Sequence, residues 1–271
     1  MSTLFSIEGK KIAFSGATGV LGKTMALHLA QEGAQLIIIG RTQAKVDQLV
    51  DEINATGRDA WGYYADVTDE EGLQEVASKI ESDHEYIDIL INAAGGNMPG
   101  AVITPNQTFL DLDTKSLKNV VDLNYLGTVL PTKILLPLML KNNKGNILNI
   151  SSMAASRPMT RVLGYASAKA AIDNFTKFLA VELSAKHGPE FRVNAIAPGF
   201  FLTEQNRTLL TESDGSLTQR GNQIKSHTPM NRFGKPEDLL GSLQWLCSDA
   251  SQFVTGTIIP VDGGFSAYSG V

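Results

Sequence analysis

Short apolar runs alternate with longer amphipathic stretches along almost all of this 271-residue chain, and that rhythm leaves few folds open. The runs are Lys11-Ile12-Ala13-Phe14-Ser15, Ala34 to Ile39, Ile87 to Asn92, Asn146 to Ile150, Arg192 to Ile196 and Thr257 to Pro260. Each is strand-length and nearly continuous in its apolar character, the pattern of parallel strands covered on both faces. The stretches near 20–32, 43–56, 69–82, 114–141, 164–186 and 236–248 have helical spacing. Their succession predicts one α/β domain over 1–271, a doubly wound parallel sheet with right-handed crossovers and helices on both faces. The polar stretch from Thr203 to Gly234, with Asp214-Gly215-Ser216 inside it, breaks the rhythm. It is expected as an excursion at about 203–234 that shapes a substrate site over the strand ends.

A formal net charge of −5 and the lack of any Lys/Arg run argue against nucleic-acid binding, so small-molecule partners are expected. The start, Met1 to Ser6, has neither a basic nor an apolar targeting pattern, and no segment reads as the roughly 18 apolar residues of a membrane span. A cytoplasmic location away from membranes is the expectation. Cys247 is alone and the four histidines are scattered, so neither an internal disulfide nor a metal site is expected. Cys247 reads as a buried helix residue beside Trp245 and Leu246.

The first run leads into Ser15-Gly16-Ala17-Thr18-Gly19-Val20-Leu21-Gly22-Lys23, a glycine-rich turn opening a helix. Backbone N–H groups there and the helix N-terminus favour phosphate. The spacing Ala17-x-x-x-x-Gly22-Lys23-Thr24 also nearly matches the phosphate loop of nucleotide hydrolases, with alanine replacing its first glycine. That reading needs a metal-binding Asp at a strand end, whereas these runs end in Gly40, Asn92 and Ser151/Ser152. Gly40-Arg41-Thr42 offers no carboxylate to a ribose 2′-hydroxyl, and Arg41 is placed to meet a 2′-phosphate. NADP is therefore favoured over NAD about two to one. Asp66-Val67 either frames an adenine or leaves Asp66 capping the helix that begins near Asp69.

Tyr165 and Lys169 are i and i+4 on a predicted helix and share a face. A free tyrosine has a pKa of about 10, and a fixed cation nearby favours its ionised form, which makes it a usable general acid/base. Ser152 closes the run Gly145 to Ile150, where its hydroxyl can hold a reacting oxygen. Tyr-x-x-x-Lys by itself is common on helices, so its weight comes from its position and neighbours.

In this order the pieces resemble the short-chain dehydrogenase/reductase family over essentially the whole chain. The resemblance rests on the glycine loop at 15–22, Asn92-Ala93-Ala94-Gly95, Asn124, the Ser152/Tyr165/Lys169 set, and Pro198-Gly199 after Val193-Asn194-Ala195. It implies a Rossmann-type fold, a homotetramer, and a catalytic set of Asn124, Ser152, Tyr165 and Lys169. Asn124 would bend a helix and hold a water linking Lys169 to solvent. A nicotinamide cofactor would meet Gly16, Thr18, Gly19, Val20, Leu21, Gly22, Arg41, Asp66, Val67, Asn92, Ala93 and Gly95. It would also meet Tyr165, Lys169, Pro198, Gly199, Phe201 and Thr203. The family's middle loop glycine falls at Val20, which does not readily adopt positive φ, so a rearranged loop backbone is expected.

A closer similarity, to the D-mannonate oxidoreductase branch, runs through Asn92 to Asn97, Ala197 to Arg207, Asp214 to Leu217, His227 to Met230 and Asp262 to Val271. It implies interconversion of a keto sugar acid and its hydroxy acid, D-fructuronate and D-mannonate being the type, with gluconate 5-dehydrogenase-like or other carbonyl reduction as the neighbouring alternative. A non-catalytic cofactor-sensing regulator is the reading from a different class, and the presence of both Tyr165 and Lys169 argues against it. Candidates for the substrate's carboxylate and hydroxyls are Asn97, Arg157, Arg161, Gln205, Asn206, Arg207 and His227. The two arginines between Ser152 and Tyr165 offer bidentate guanidiniums.

Overall fold

The structure, a computed structural model, describes residues 3–202 and 207–270; Thr203, Gln205 and Asn206 lie outside the described residues. The strands are β1 (Lys11–Ser15), β2 (Gln35–Gly40), β3 (Ala60–Tyr64), β4 (Ile89–Asn92), β5 (Gly145–Ile150), β6 (Phe191–Pro198) and β7 (Ile258–Val261). All pair in parallel in the order β3-β2-β1-β4-β5-β6-β7. This is the Rossmann-type, doubly wound sheet the alternation implies. Strand β3 is not among the six apolar runs, because this edge strand exposes Trp61 and Tyr64 and carries Gly62.

The helices are α1 (Val20–Gln31), α2 (Gln43–Asn54), α3 (Glu70–His84), α4 (Thr114–Val121), α5 (Gly127–Leu140), α6 (Leu163–His187), α7 (Arg207–Leu210), α8 (Gln219–Ser226) and α9 (Leu240–Cys247). Alternate strand residues feed two cores. Ile12, Phe14, Leu36 and Ile38 pack with α1, α2 and α9, while Ala13, Ile37 and Ile39 pack with α3, α5 and α6. Cys247 lies buried on α9 as the sequence suggests.

The stretch expected as one helix over 114–141 is broken at Asp122–Leu126 by a π-helical turn. Wide turns leave carbonyls without their usual partner, and side chains fill the gap here. Asn124 Nδ2 donates to the Val120 carbonyl (2.8 Å) and Thr128 Oγ1 to that of Asn124 (2.9 Å). Thr114–Leu140 is long and apolar enough to cross a membrane by length and composition, contrary to the sequence reading. Leu135, Leu138 and Met139 are nevertheless packed in the sheet core, which makes it a core helix.

Order along the sheet reverses between β1 and β4, whose ends pair Ser15 with Asn92. Loops leaving the two strands part there and open a crevice, the usual ligand position in such sheets. At the other end of the same edge, the 207–234 stretch folds as α7 and α8 around a turn at Asp214-Gly215-Ser216. It is pinned by the Thr211–Leu217 and Phe201–Gly234 bridges.

Candidate active site

Gly16 leaves β1 with φ of 81°, and its Cα faces the Ala93–Ala94 peptide after β4. A Cβ there would stand 2.6 Å from the Ala93 carbonyl oxygen, so only glycine lets the two loops touch. Gly19 caps α1 with an extended backbone, φ −76°, and Val20 is the first helical residue. The loop asks no positive φ of Val20, which overturns the expected rearrangement: the left-handed turn is made at Gly16. Lys23 points away to an ion pair with Glu52 on α2 (2.6 Å), which removes the cation a phosphate-loop hydrolase needs.

Two adjoining cavities, about 430 and 340 Å³, share Gly16, Gly19, Val20, Ala93 and Gly95 as their common wall. The first runs past Thr18 to Arg41, Lys45, Asp66 and Val67. The second passes Leu21 and Gly22 to Ser152, Tyr165, Lys169, Pro198, Gly199 and Phe201. Backbone N–H groups at the start of α1 and the close glycine approach fit a pyrophosphate, with room for a nucleoside on either side. A nicotinamide dinucleotide thus fits the residues present.

Arg41 is 69% exposed and faces Asp66 at 3.9 Å. Asp66 closes a local turn by accepting from Thr68 N (2.9 Å) and Oγ1 (2.7 Å), while Asp69 accepts from Gly72 N and caps α3. The capping alternative for Asp66 is thereby transferred to Asp69. Asn92 is a further correction: its side chain lines neither cavity. Its Nδ2 donates to Thr132 Oγ1 (2.9 Å) and Asn149 Oδ1 (3.0 Å), and Asn149 Nδ2 donates to Thr176 Oγ1 (2.9 Å). This buried ladder ties β4, β5, α5 and α6 together beneath the site.

Ser152, Tyr165 and Lys169 converge at the inner end of the second cavity. Ser152 Oγ accepts from Ala154 N (3.2 Å), capping a short turn, and shares a hydrogen bond with Tyr165. Lys169 is 5% exposed. Its Nζ donates to the Ile150 carbonyl (2.7 Å) and lies 5.6 Å from the centre of the Tyr165 ring. Burial pushes Lys169 down to about 8, with the Asp173 charge opposing. Burial also pushes the Tyr165 phenol up, with the Ser152 hydrogen bond opposing. Desolvation thus sets the direction at Tyr165, in place of the lowering by its cation expected from spacing alone. Asn124 Oδ1 accepts from Gly96 N (3.1 Å) and its Nδ2 donates to the Gly96 carbonyl (2.7 Å), fixing the loop beside Lys169.

Sequence reasoning missed Asp173, one turn beyond Lys169 on α6. Its carboxylate accepts a hydrogen bond from Ser151 Oγ, next to Ser152. The signal was present as the i, i+4 relation to Lys169. Lys45, Thr42 and Gly96 were missed as well, though each stands beside a residue that was named.

The substrate candidates scatter. Arg157 donates through Nε (2.9 Å) and Nη2 to the Ser266 carbonyl, so it ties down the C-terminal segment rather than standing free for a carboxylate. Asn97 is exposed, accepts from Met98 N and lines neither cavity. Arg207 is exposed at the start of α7. His227 follows α8 and shares a small cavity with Arg157, Met159 and Tyr268. Arg161 turns the loop ahead of Tyr165 with φ of 76°.

A family model described as enoyl-(acyl carrier protein) reductase, from the short-chain dehydrogenases, matches residues 16–266. The uncharacterized oxidoreductase UxuB of Bacillus subtilis is 44% identical, with 98% of each chain covered. A Haemophilus influenza structure, inferred to be a D-mannonate oxidoreductase and holding NAD, superposes with a TM-score of 0.92 at 44% identity over 98% of both chains. A gluconate 5-dehydrogenase from Burkholderia cenocepacia, in complex with NADP and tartrate, superposes at 0.86 with 27% identity, again over 98% of both.

Proposed function

This chain belongs to the short-chain dehydrogenase/reductase family, and from that premise we propose that it interconverts a keto sugar acid and its hydroxy acid, of the D-fructuronate/D-mannonate kind. The observation that carries this reading is the convergence of Ser152, Tyr165 and Lys169 at the end of a glycine-cradled double cavity. The sugar-acid class draws support from the inferred activity of the Haemophilus relative. Gluconate 5-dehydrogenase-like turnover is the second reading, favoured by the relative holding NADP and tartrate.

When bound, the nicotinamide supplies or accepts a hydride at the reacting carbon. In reduction, Tyr165 gives its phenolic proton to the oxygen that becomes the alcohol, and in oxidation it takes that proton back. Ser152 donates to the same oxygen as negative charge develops on it, a preorganised contribution on the order of 3 kcal/mol. Lys169, held by the Ile150 carbonyl, places positive charge beside the phenol, and Asn124 with Gly96 keeps the route from Lys169 toward solvent in shape. Gly16, Gly19 and Gly22 cradle the pyrophosphate, Val67 and Asp66 frame the adenine, and Pro198, Gly199 and Phe201 wall the nicotinamide side. Arg41 and Lys45 at the mouth of the first cavity support preference for NADP, since two cations and no acidic residue among 40–42 suit a 2′-phosphate. The chain acts as one domain whose segment at about 203–234 covers the substrate. It works in the cytoplasm as a homotetramer, in which neighbouring copies cover exposed apolar residues such as Phe178 and Val181 on α6.

The test follows nicotinamide absorbance with a panel of keto sugar acids and both cofactors. Turnover of at least one acid, faster at limiting NADPH than NADH, is the expected outcome. Tight cofactor binding without turnover of any carbonyl would move the assignment to a cofactor-sensing regulator. A strong preference for NADH would overturn the role of Arg41.

A further inference from the structure

The segment after β7 touches three elements around the catalytic cavity. Asp262 accepts from Gly264 N (2.9 Å) and Ser266 N (2.8 Å), which folds the segment into a turn. The Gly263 carbonyl accepts from Met230 N (3.1 Å) and ties that turn to the stretch after α8. Arg157, in the loop between Ser152 and Tyr165, donates through Nε (2.9 Å) and Nη2 to the Ser266 carbonyl. Phe265 sets its ring edge-on to Phe200, centroids 5.2 Å apart, and Phe200 lines the cavity that holds Ser152, Tyr165 and Lys169.

Phe265 also lines a smaller cavity of about 180 Å³, together with Arg157, Met159, His227 and Tyr268. Sites that enclose a whole drug-sized ligand start at roughly 300 Å³, so this one suits the end of a molecule whose remainder lies elsewhere. Two polar groups in it are unengaged among the described residues. His227 Nδ1 lies 2.8 Å from the Gln223 carbonyl, which can only accept. Nδ1 therefore carries the proton of the neutral ring, and Nε2, across the ring, is left as an acceptor. The Tyr268 hydroxyl, which both donates and accepts, makes no hydrogen bond among the described residues. The two rings stand edge to face with centroids 6.5 Å apart. An acceptor beside a donor-acceptor matches an alcohol, which does both. It does not match a carboxylate, whose lone pairs would face that of Nε2.

We infer that His227 and Tyr268 determine specificity: they form a subsite for the hydroxyl-bearing end of the substrate, next to the cavity where its carbonyl meets Ser152 and Tyr165. Arg157, its fork turned to Ser266, is a positioning residue that holds the segment carrying Tyr268. This deepens the sugar-acid reading above and rests on it. An analogue without those hydroxyls leaves both groups without their ligand partner. Because both keep access to water, each bond is worth a modest factor. Sequence reasoning named Arg157 and His227 alike as substrate contacts; the fold adds Tyr268 and separates their roles.

The experiment compares kcat/KM for a keto sugar acid with that for the keto acid of the same chain length lacking its distal hydroxyls. It uses the unmodified protein, Tyr268→Phe, His227→Leu, His227→Gln, Arg157→Met, and Arg157→Met combined with Tyr268→Phe. Cofactor dissociation constants are measured alongside to show that each variant is folded. The unmodified protein is expected to prefer the hydroxylated acid. Tyr268→Phe and His227→Leu should each lower that preference about fivefold to tenfold, through KM. His227→Gln should recover part of it, because an acceptor returns. Arg157→Met should lower it as well, with no further loss once Tyr268 is replaced, since it acts through that side chain. A preference retained in both Tyr268→Phe and His227→Leu would overturn the subsite and leave the sugar-acid reading standing. An added loss from Arg157→Met in the combined variant would overturn its positioning role. Equal use of the two acids by the unmodified protein would overturn the sugar-acid reading itself.

Discussion

Gly16 and Gly215 hold nearly the same left-handed backbone, φ 81° and 84°, at the two ends of one functional surface. A Cβ on Gly16 would press into the Ala93–Ala94 peptide, whereas one on Gly215 meets nothing within 4 Å. The cofactor end is built from backbone against backbone, at a place the strand order creates. The end proposed to meet the substrate is built from α7, α8 and their turns, held largely by local bonds such as Asp214 with Ser216 and Thr218 with Gly221. The first arrangement leaves almost no freedom in residue type, and the second leaves a great deal. The same family can then keep one cofactor site while changing what it reduces.

Alanine at the two glycines puts that contrast to a direct test. Gly16→Ala should cost about 3 kcal/mol, the strained φ adding to the overpacking, and should weaken cofactor binding severely. Gly215→Ala should cost about 1 kcal/mol from the backbone alone and leave cofactor affinity intact. Urea unfolding and fluorescence titration with NADPH read both, and equal costs would break the comparison.

A smaller effect is expected at Asp173, one turn beyond Lys169 on α6. Lys169 sits at about 8, lowered by burial and held up against it by the Asp173 charge. Below that pH Lys169 is charged and can support proton donation by Tyr165, and above it the charge is lost. Reduction should therefore decline on the alkaline side of about pH 8. Asp173→Asn removes the opposing negative charge, so Lys169 drops further and the decline begins at lower pH. At pH 8 the loss should be on the order of tenfold at most. A purely structural role for Asp173 would lower the rate at every pH without moving the limb.

The legible parts of the sequence were those where chemistry or geometry restricts residue type. Six of seven strands followed from apolar runs, and β3 escaped because an edge strand need not be apolar throughout. The glycine turn was visible, yet which glycine takes the left-handed turn was not, since Gly16 makes it where its backbone meets the loop after β4. Asn92 looked like a cavity residue by position and proved to be a buried tie, because its amide points toward Thr132 and Asn149. Spacing brought Tyr165 and Lys169 together correctly, but it could not show that burial sets the direction at the phenol. Arg157 and Arg161 looked equivalent in sequence; only one of them is engaged by a carbonyl.

Hydride transfer assisted by Tyr165 is the central claim, and Tyr165→Phe tests it most directly because the ring stays while the proton goes. Reduction of D-fructuronate, or of the best keto acid on the panel, is followed by nicotinamide absorbance alongside the cofactor dissociation constant. The account predicts a fall in kcat on the order of a thousandfold with cofactor affinity little changed. A variant that turns over within a few fold of the unmodified protein would contradict it.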